Sequence, residues 1–160
     1  PALRMRANEV DGVDDSVSDL VERMTRLMQE ARGVGLAAPQ VGVLRRILVC
    51  QTSDDEPVVA LINPRLTGSS DEQETLDEGC LSLGAASVVV PVARPVAVTV
   101  EATSPGGEQV TVEAEGLEAR VIQHELDHLE GVLILDRTGP DERRAALGQL
   151  RPQPILGPLV

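Results

Sequence analysis

Not one of the 160 residues is Phe, Tyr or Trp. Aromatic rings ordinarily dominate the energetics of a protein interior, so a fold built from this chain must fill its core with Leu, Val, Ile, Met and Ala. The length suits one domain with a substantial core. Nothing in the composition assigns the missing aromatics a functional cause.

Periodicity supplies the elements. Val17, Leu20, Val21, Met24, Leu27, Met28 and Ala31 form an i, i+3, i+4, i+7 stripe, which predicts a helix over 16–32 closed by Gly33. The methionines of that stripe read as core. Strands are expected at about 44–51, 58–63, 87–92, 95–102 and 108–114, separated by Pro, Gly, Ser and Asp. Ser104-Pro105-Gly106-Gly107 between two alternating runs reads as a hairpin turn. A second helix is expected over about 117–130, ending at Gly131, and a short charged one over about 141–149. The fold class is α+β, with mostly antiparallel strands surrounding the helix that carries both histidines. A single catalytic domain over 1–150 and a mobile Pro-rich tail over 151–160 complete the expected organisation.

With 14 basic and 26 acidic residues the net charge is −12, which disfavours nonspecific attraction to nucleic acid or anionic membranes. The chain has no secretory h-region and no apolar run long enough to span a bilayer. Two cysteines argue against a disulfide framework and for a reducing compartment, with a cytoplasmic location expected.

Both histidines lie in Gln123-His124-Glu125-Leu126-Asp127-His128, four positions apart. On a helix they share a face, so both imidazoles can reach one ion, with Glu125 over that ion without ligating it. This is the HExxH spacing of hydrolases that activate water at a metal, the glutamate serving as general base. The pattern is short, and a polar helix face with two ordinary histidines competes with it.

A metal site that keeps an open position needs three protein ligands, and Cys50 and Cys80 are the soft candidates. Cys50 ends the run Leu44-Arg45-Arg46-Ile47-Leu48-Val49-Cys50, which reads as a buried strand, and its thiol reads as small and inert. Cys80 sits in Asp77-Glu78-Gly79-Cys80-Leu81-Ser82, a polar turn where packing explains a thiol poorly and ligation explains it well. Residues 33–40, Gly-Val-Gly-Leu-Ala-Ala-Pro-Gln, admit two readings. One is a helix C-cap glycine followed by a tight loop. The other is a backbone laid close to a ligand, with Gln40 aimed into the site.

These three segments, in this order, resemble the peptide deformylase family. Its motifs GxGxAAxQ, EGCxS and QHExDHxxG match at every fixed position, at residues 33–40, 78–82 and 123–131. The likeness runs from Pro1 through roughly Asp136. The family carries a short segment before such an opening, so the likeness implies residues ahead of Pro1.

What the resemblance implies is a metallohydrolase that removes the formyl group from the N-terminal formyl-methionine of nascent peptides. Cys80, His124 and His128 would hold one divalent ion, usually ferrous iron in the family, with zinc, nickel or cobalt as substitutes. Ligand chemistry alone does not choose between zinc and iron. Glu125 would take a proton from water and return it to the departing amine. Gln40 and, by family analogy, the Leu81 backbone N–H would face the oxyanion. Val34, Gly35 and Leu81 would bound a pocket too cramped for acyl groups larger than formyl, and Leu117 and Val121 would line a methionine pocket. The implied partners are the formylated peptide and a transient ribosome contact, without sequence-specific nucleic acid or membrane.

The chain departs from the family where Leu83-Gly84 stands in place of a hydrophobic residue and proline, Ser87 in place of a basic residue, and Pro91-Val92 in place of Pro-Arg. That arginine typically pairs with the glutamate of EGC, here Glu78. Loss of that partner would leave a partly buried carboxylate. Arg94, two residues on along the same strand face, is nevertheless expected within salt-bridge distance of Glu78, steadying the loop that presents Cys80, unless Pro95 turns it outward. Two further functions therefore stand beside deformylation. One is a deformylase-like amidase acting on another N-formyl compound. The other is a non-catalytic metal-binding or ribosome-associated member of the fold, against which Glu125 and Gln40 argue. A secreted HExxH protease leaves the EGC segment unexplained.

Overall fold

The computed structural model describes residues 1–83 and 88–150. Helix α1 (Asp15–Glu30) begins where the Asp14 carboxylate accepts a hydrogen bond from the Val17 N–H at 3.1 Å, and it buries Val17, Leu20, Met24 and Met28. Ala31, expected in the apolar stripe, is exposed. Arg32, rather than Gly33, takes the left-handed conformation after the helix, at φ 53°.

Five strands, β1 (Gly35–Ala37), β2 (Ile47–Cys50), β3 (Val59–Ser69), β6 (Ala97–Thr103) and β7 (Gln109–Glu115), form one sheet in the order β1-β2-β3-β6-β7. Two more, β4 (Gln73–Gly79) and β5 (Val89–Pro95), form a separate ribbon. Each pairing between these strands is antiparallel. Ser104 to Gly107 turns β6 into β7, with Gly107 at φ 84° donating its N–H to the Ser104 carbonyl.

Strand β2 is buried on both faces, and its side chains alternate between two clusters. Ile47 and Val49 join Val17, Met24 and Met28 under α1. Leu48 and Cys50 join Leu61, Val98, Val100, Ile122 and Leu129 under helix α2 (Gly116–Leu129). A third cluster packs Val88, Val90 and Val92 of the ribbon segment against Ile134, Leu135 and Ala146, the last from helix α3 (Pro140–Leu150). Aliphatic residues, with two methionines and small alanines, thus fill the interior in three modest clusters. Helix α2 touches β1, β2, β6 and β7 of the sheet and β5 of the ribbon, which places it between the two layers. No helix among the described residues is long and apolar enough to cross a membrane.

Two further local expectations fail. Strand β3 continues past Pro64 because register shifts on either side of Arg65 and Leu66 let it leave β2 and pair with β6. Asn63 tolerates φ 52° there, while its side-chain amide brackets Val10 through both the backbone N–H and the carbonyl, each at 2.8 Å. Glu78 and Gly79 are not a turn but the end of β4, a strand exposed along nearly its whole length. The tail expected over 151–160, and the departures at Gly84 and Ser87, lie outside the described residues.

Candidate active site

Three elements meet along one side of α2. The helix itself contributes Val121, His124, Glu125 and His128, which lie along one side at i, i+3, i+4 and i+7. Strand β4 ends at Gly79 and delivers Cys80, followed by the 3-10 turn Leu81–Leu83. Strand β1 delivers Gly35 and leads into the 3-10 turn Ala38–Val41, which carries Gln40.

Cys80 Sγ stands 3.3 Å from His128 Nε2, and that nitrogen stands 3.2 Å from His124 Nε2. The ligand atoms of all three residues lie within 4.8 Å of one another. Lone pairs crowded this closely repel unless a proton or a cation lies among them. A tetrahedral centre with bonds of about 2.0–2.3 Å has donor-to-donor edges of about 3.3–3.8 Å. The residues present therefore fit a divalent ion, and one thiolate with two imidazoles is a donor set suited to iron or zinc.

Behind the ligands lies a buried charged network. His124 Nδ1 faces Glu78 Oε2 at 3.1 Å, which sets the ring so that Nε2 looks into the site. Arg94 grips Glu78 through two hydrogen bonds, and Arg120 Nη1 adds a third at 2.8 Å. Arg94 also donates to Asp127 at 2.9 Å, and Asp127 accepts two more hydrogen bonds from Arg137. The loss expected at Val92 therefore does not leave Glu78 alone. Val92 is fully buried in the apolar cluster of the ribbon, and Arg94 supplies the guanidinium.

Charge states follow from this packing. Burial pushes the Glu78 carboxyl up, but Arg94, His124 and Arg120 overcome it and hold the group down at about 2. Burial likewise raises the Cys80 thiol, yet hydrogen bonds from His124 and His128 bring it down to about 6. His124 is driven down by burial and up by Cys80 and Glu78, ending at about 10. Glu125 goes the other way. Burial raises it to about 7, only partly offset by the neighbouring histidines. One of its oxygens, Oε2, is buried without a hydrogen-bond partner among the described residues. Cys50, by contrast, is pushed up to about 12 by burial, an inert thiol in the interior.

A cavity of about 480 Å³ opens onto this cluster. Val34, Gly35, Gln40, Cys80, Leu81, Leu117, Val121, His124 and Glu125 all line it, while His128 lies beneath, almost fully buried. Val34, Leu81 and Leu117 are substantially exposed at the rim, and Val121 is buried. Gln40 is held at both ends of its amide. Oε1 accepts the Ala37 N–H at 2.8 Å, and Nε2 donates to Ser82 Oγ at 2.9 Å. Gly35 is required by sterics, since a Cβ there would lie 2.5 Å from Glu125 Oε1 and 2.7 Å from Val121 Cγ1. The C-cap reading of residues 33–40 gives way to the close-approach reading at this position.

Sequence reasoning missed Arg120, Asp127 and Ser82 as parts of the site. Arg120 and Asp127 are charged residues buried on α2, and Arg120 lies one turn before His124, a spacing that carried a usable signal. Ser82 stood inside the EGCLS segment without an assigned partner.

Comparison with known proteins agrees with this geometry. The Polypeptide deformylase family profile matches residues 1–144. The peptide deformylase of Natranaerobius thermophilus is 46% identical over 137 residues, 86% of this chain and 86% of that protein. That of Chromohalobacter salexigens is 44% identical over 151 residues, 93% of this chain and 87% of that one. Among solved structures, a peptide deformylase from Synechococcus elongatus in complex with actinonin superposes with a TM-score of 0.87 at 38% identity, covering 92% of this chain and 82% of that one. The peptide deformylase from Thermotoga maritima gives 0.82 at 43% identity, covering 88% and 92%. This chain belongs to the polypeptide deformylase family.

Proposed function

We propose that this cavity hydrolyses the formyl group from the N-terminal formyl-methionine of nascent peptides, the reaction of a peptide deformylase. The observation that carries the reading is Glu125, a buried carboxylate with an oxygen unpartnered among the described residues, beside the Cys80, His124 and His128 cluster. A purely structural metal site has no use for such a group.

Cys80, His124 and His128 would hold one divalent ion, ferrous by family resemblance, with zinc, nickel or cobalt as substitutes. Such an ion, when bound, lowers the pKa of water towards neutrality and polarises a carbonyl. Glu125 takes the proton of the attacking water and hands it to the departing amine. The Gln40 amide, fixed by Ala37 and Ser82, and the Leu81 N–H donate to the oxyanion that develops on the formyl oxygen. Gly35 and Val34 form the narrow wall beside the formyl carbon, and Leu117 and Val121 form the apolar wall for the methionine side chain. Residues 1–150 act as one catalytic domain, a reading supported by the family match over 1–144. The substrate places the protein in the cytoplasm, with transient ribosome contact as the route to it.

The amidase alternative drew on the altered 83–92 segment, and the Arg94 pair removes the part of that support that lay in an unpaired Glu78. The test is formate release from formyl-methionyl peptides by anaerobically iron-loaded protein. Glu125→Gln should keep the ion and lose about 10²–10⁴-fold in kcat. Turnover within a few-fold of the unsubstituted protein would remove Glu125 from this role, and no turnover of formyl peptides by the unsubstituted protein would end the reading.

A further inference from the structure

Two arginines line the cavity, and they differ in kind. Arg120 is buried and fully engaged by Glu78, the Val92 carbonyl and the Glu74 carbonyl. Arg32 is exposed at the cavity wall and enters none of the ion pairs among the described residues. A cation after a helix C-terminus is ordinary, but the backbone here is not. Arg32 holds φ 53°, a conformation rare for residues with a side chain, although Gly33 beside it would adopt it without strain. Backbone strain of this sort concentrates at functional positions. The wall formed by β4 contributes Asp77, an exposed anion.

We infer that Arg32 is a specificity-determining residue, which recognises a carboxylate carried by the peptide substrate beyond its first residue. The inference rests on the deformylase reading of the cavity. With the formyl end at Cys80, His124 and Glu125, the following residues leave through a mouth bearing Arg32 on one wall and Asp77 on the other. Side chains of an extended peptide alternate in direction, so the two charges act on different substrate positions. The protein's net charge of −12 gives no general attraction to acidic peptides. Any acidic preference must come from the local cation.

The experiment compares kcat/KM of iron-loaded protein for C-terminally amidated formyl-methionyl peptides carrying Glu, Gln or Lys at the second, third or fourth position. A neutral peptide with a free terminal carboxylate completes the set. An exposed pair is expected to favour Glu over Gln by about 2–5-fold at one position, and the preference should fade near 1 M salt, where the Debye length is about 3 Å. Arg32→Gln should abolish the preference and Arg32→Glu should turn it towards Lys, while Asp77→Asn should leave it in place at that position. A preference confined to the free-carboxylate peptide, and lost in Arg32→Gln, would assign recognition to the chain terminus instead of a side chain. Equal Glu/Gln ratios in the unsubstituted protein and Arg32→Glu, with the neutral peptide still turned over, would overturn this inference alone. No turnover of the neutral peptide would overturn the deformylase reading together with it.

Discussion

Arg94 and Glu78 form a fork-to-fork pair in the interior: Nε reaches Oε1 at 2.7 Å and Nη2 reaches Oε2 at 2.9 Å, with both side chains 5% exposed. Glu78 spends its remaining capacity on Arg120 and on His124 Nδ1. Arg94 therefore acts on the candidate metal-binding residues through two routes, by setting the His124 ring and by anchoring the strand end that delivers Cys80.

Arg94→Met should weaken metal affinity by about 10–100-fold, as expected when a group that orients ligands is lost. The metal-free protein should also lose about 3–5 kcal/mol, because a buried carboxylate keeps only part of its compensation. Isothermal titration with zinc and urea unfolding of the metal-free protein would measure the two. Equal metal affinity in the two proteins would reduce Arg94 to a scaffold role.

Gly35→Ala tests a steric requirement. The new methyl would stand 2.5 Å from Glu125 Oε1 and 2.7 Å from Val121 Cγ1, so Glu125 must rotate away or β1 must shift. A displacement of about 1 Å at a reacting group can cost about 10²-fold in rate. The expected result is a kcat loss of that order with circular dichroism and metal content retained. A kcat within three-fold would mean that the loop yields freely and that Gly35 is not needed for the approach.

The legible parts of this fold are those whose physics is local. Helix α1 announced itself because Val17, Leu20, Met24 and Met28 recur at helical spacing and all point inward. Strands β6 and β7 carry apolar residues at every second position, and Ser104 to Gly107 supplies their turn. Strand β4 was invisible for the opposite reason. Only Glu78 is buried along it, so no alternation survives, and its strand character comes from pairing with β5. Pro64 disguised the length of β3, because a bulge that accommodates proline leaves no local mark. At the site, the motif residues stood out in three short segments, and Arg94 was legible as the partner of Glu78 from the two-residue period of its strand. Arg120 and Asp127 did not stand out, because they join Glu78 and Arg94 only through the packing of α2 against the ribbon.

Gln40 and Ser82 should separate by degree. Gln40→Ala removes the proposed oxyanion donor and should cost about 10²–10³ in kcat. Ser82→Ala removes only the hydroxyl that receives Gln40 Nε2, leaving the Ala37 N–H to hold the other end. Its loss should be smaller, and Gln40→Ala combined with Ser82→Ala should be no slower than Gln40→Ala alone. Additive losses would show that Ser82 acts on catalysis by a path that bypasses Gln40.

The two thiols provide a direct reading of the metal site. Cys50 is 1% exposed within the cluster under α2, and burial pushes its thiol up to about 12, so reagent neither reaches it nor finds thiolate at neutral pH. Cys80 is partly exposed and lines the cavity, beside His128 Nε2 at 3.3 Å. Chelator-treated protein should therefore show one fast-reacting thiol per chain with a disulfide reagent, and the second only after denaturation. Adding stoichiometric zinc before the reagent should suppress the fast phase, because a coordinated sulfur has its lone pair engaged. Cys80→Ser should remove the fast phase and leave the slow one. A fast phase that persists in full with zinc bound would take Cys80 out of the ligand set. Two fast thiols in the native, metal-free protein would contradict the packing of β2 against α2.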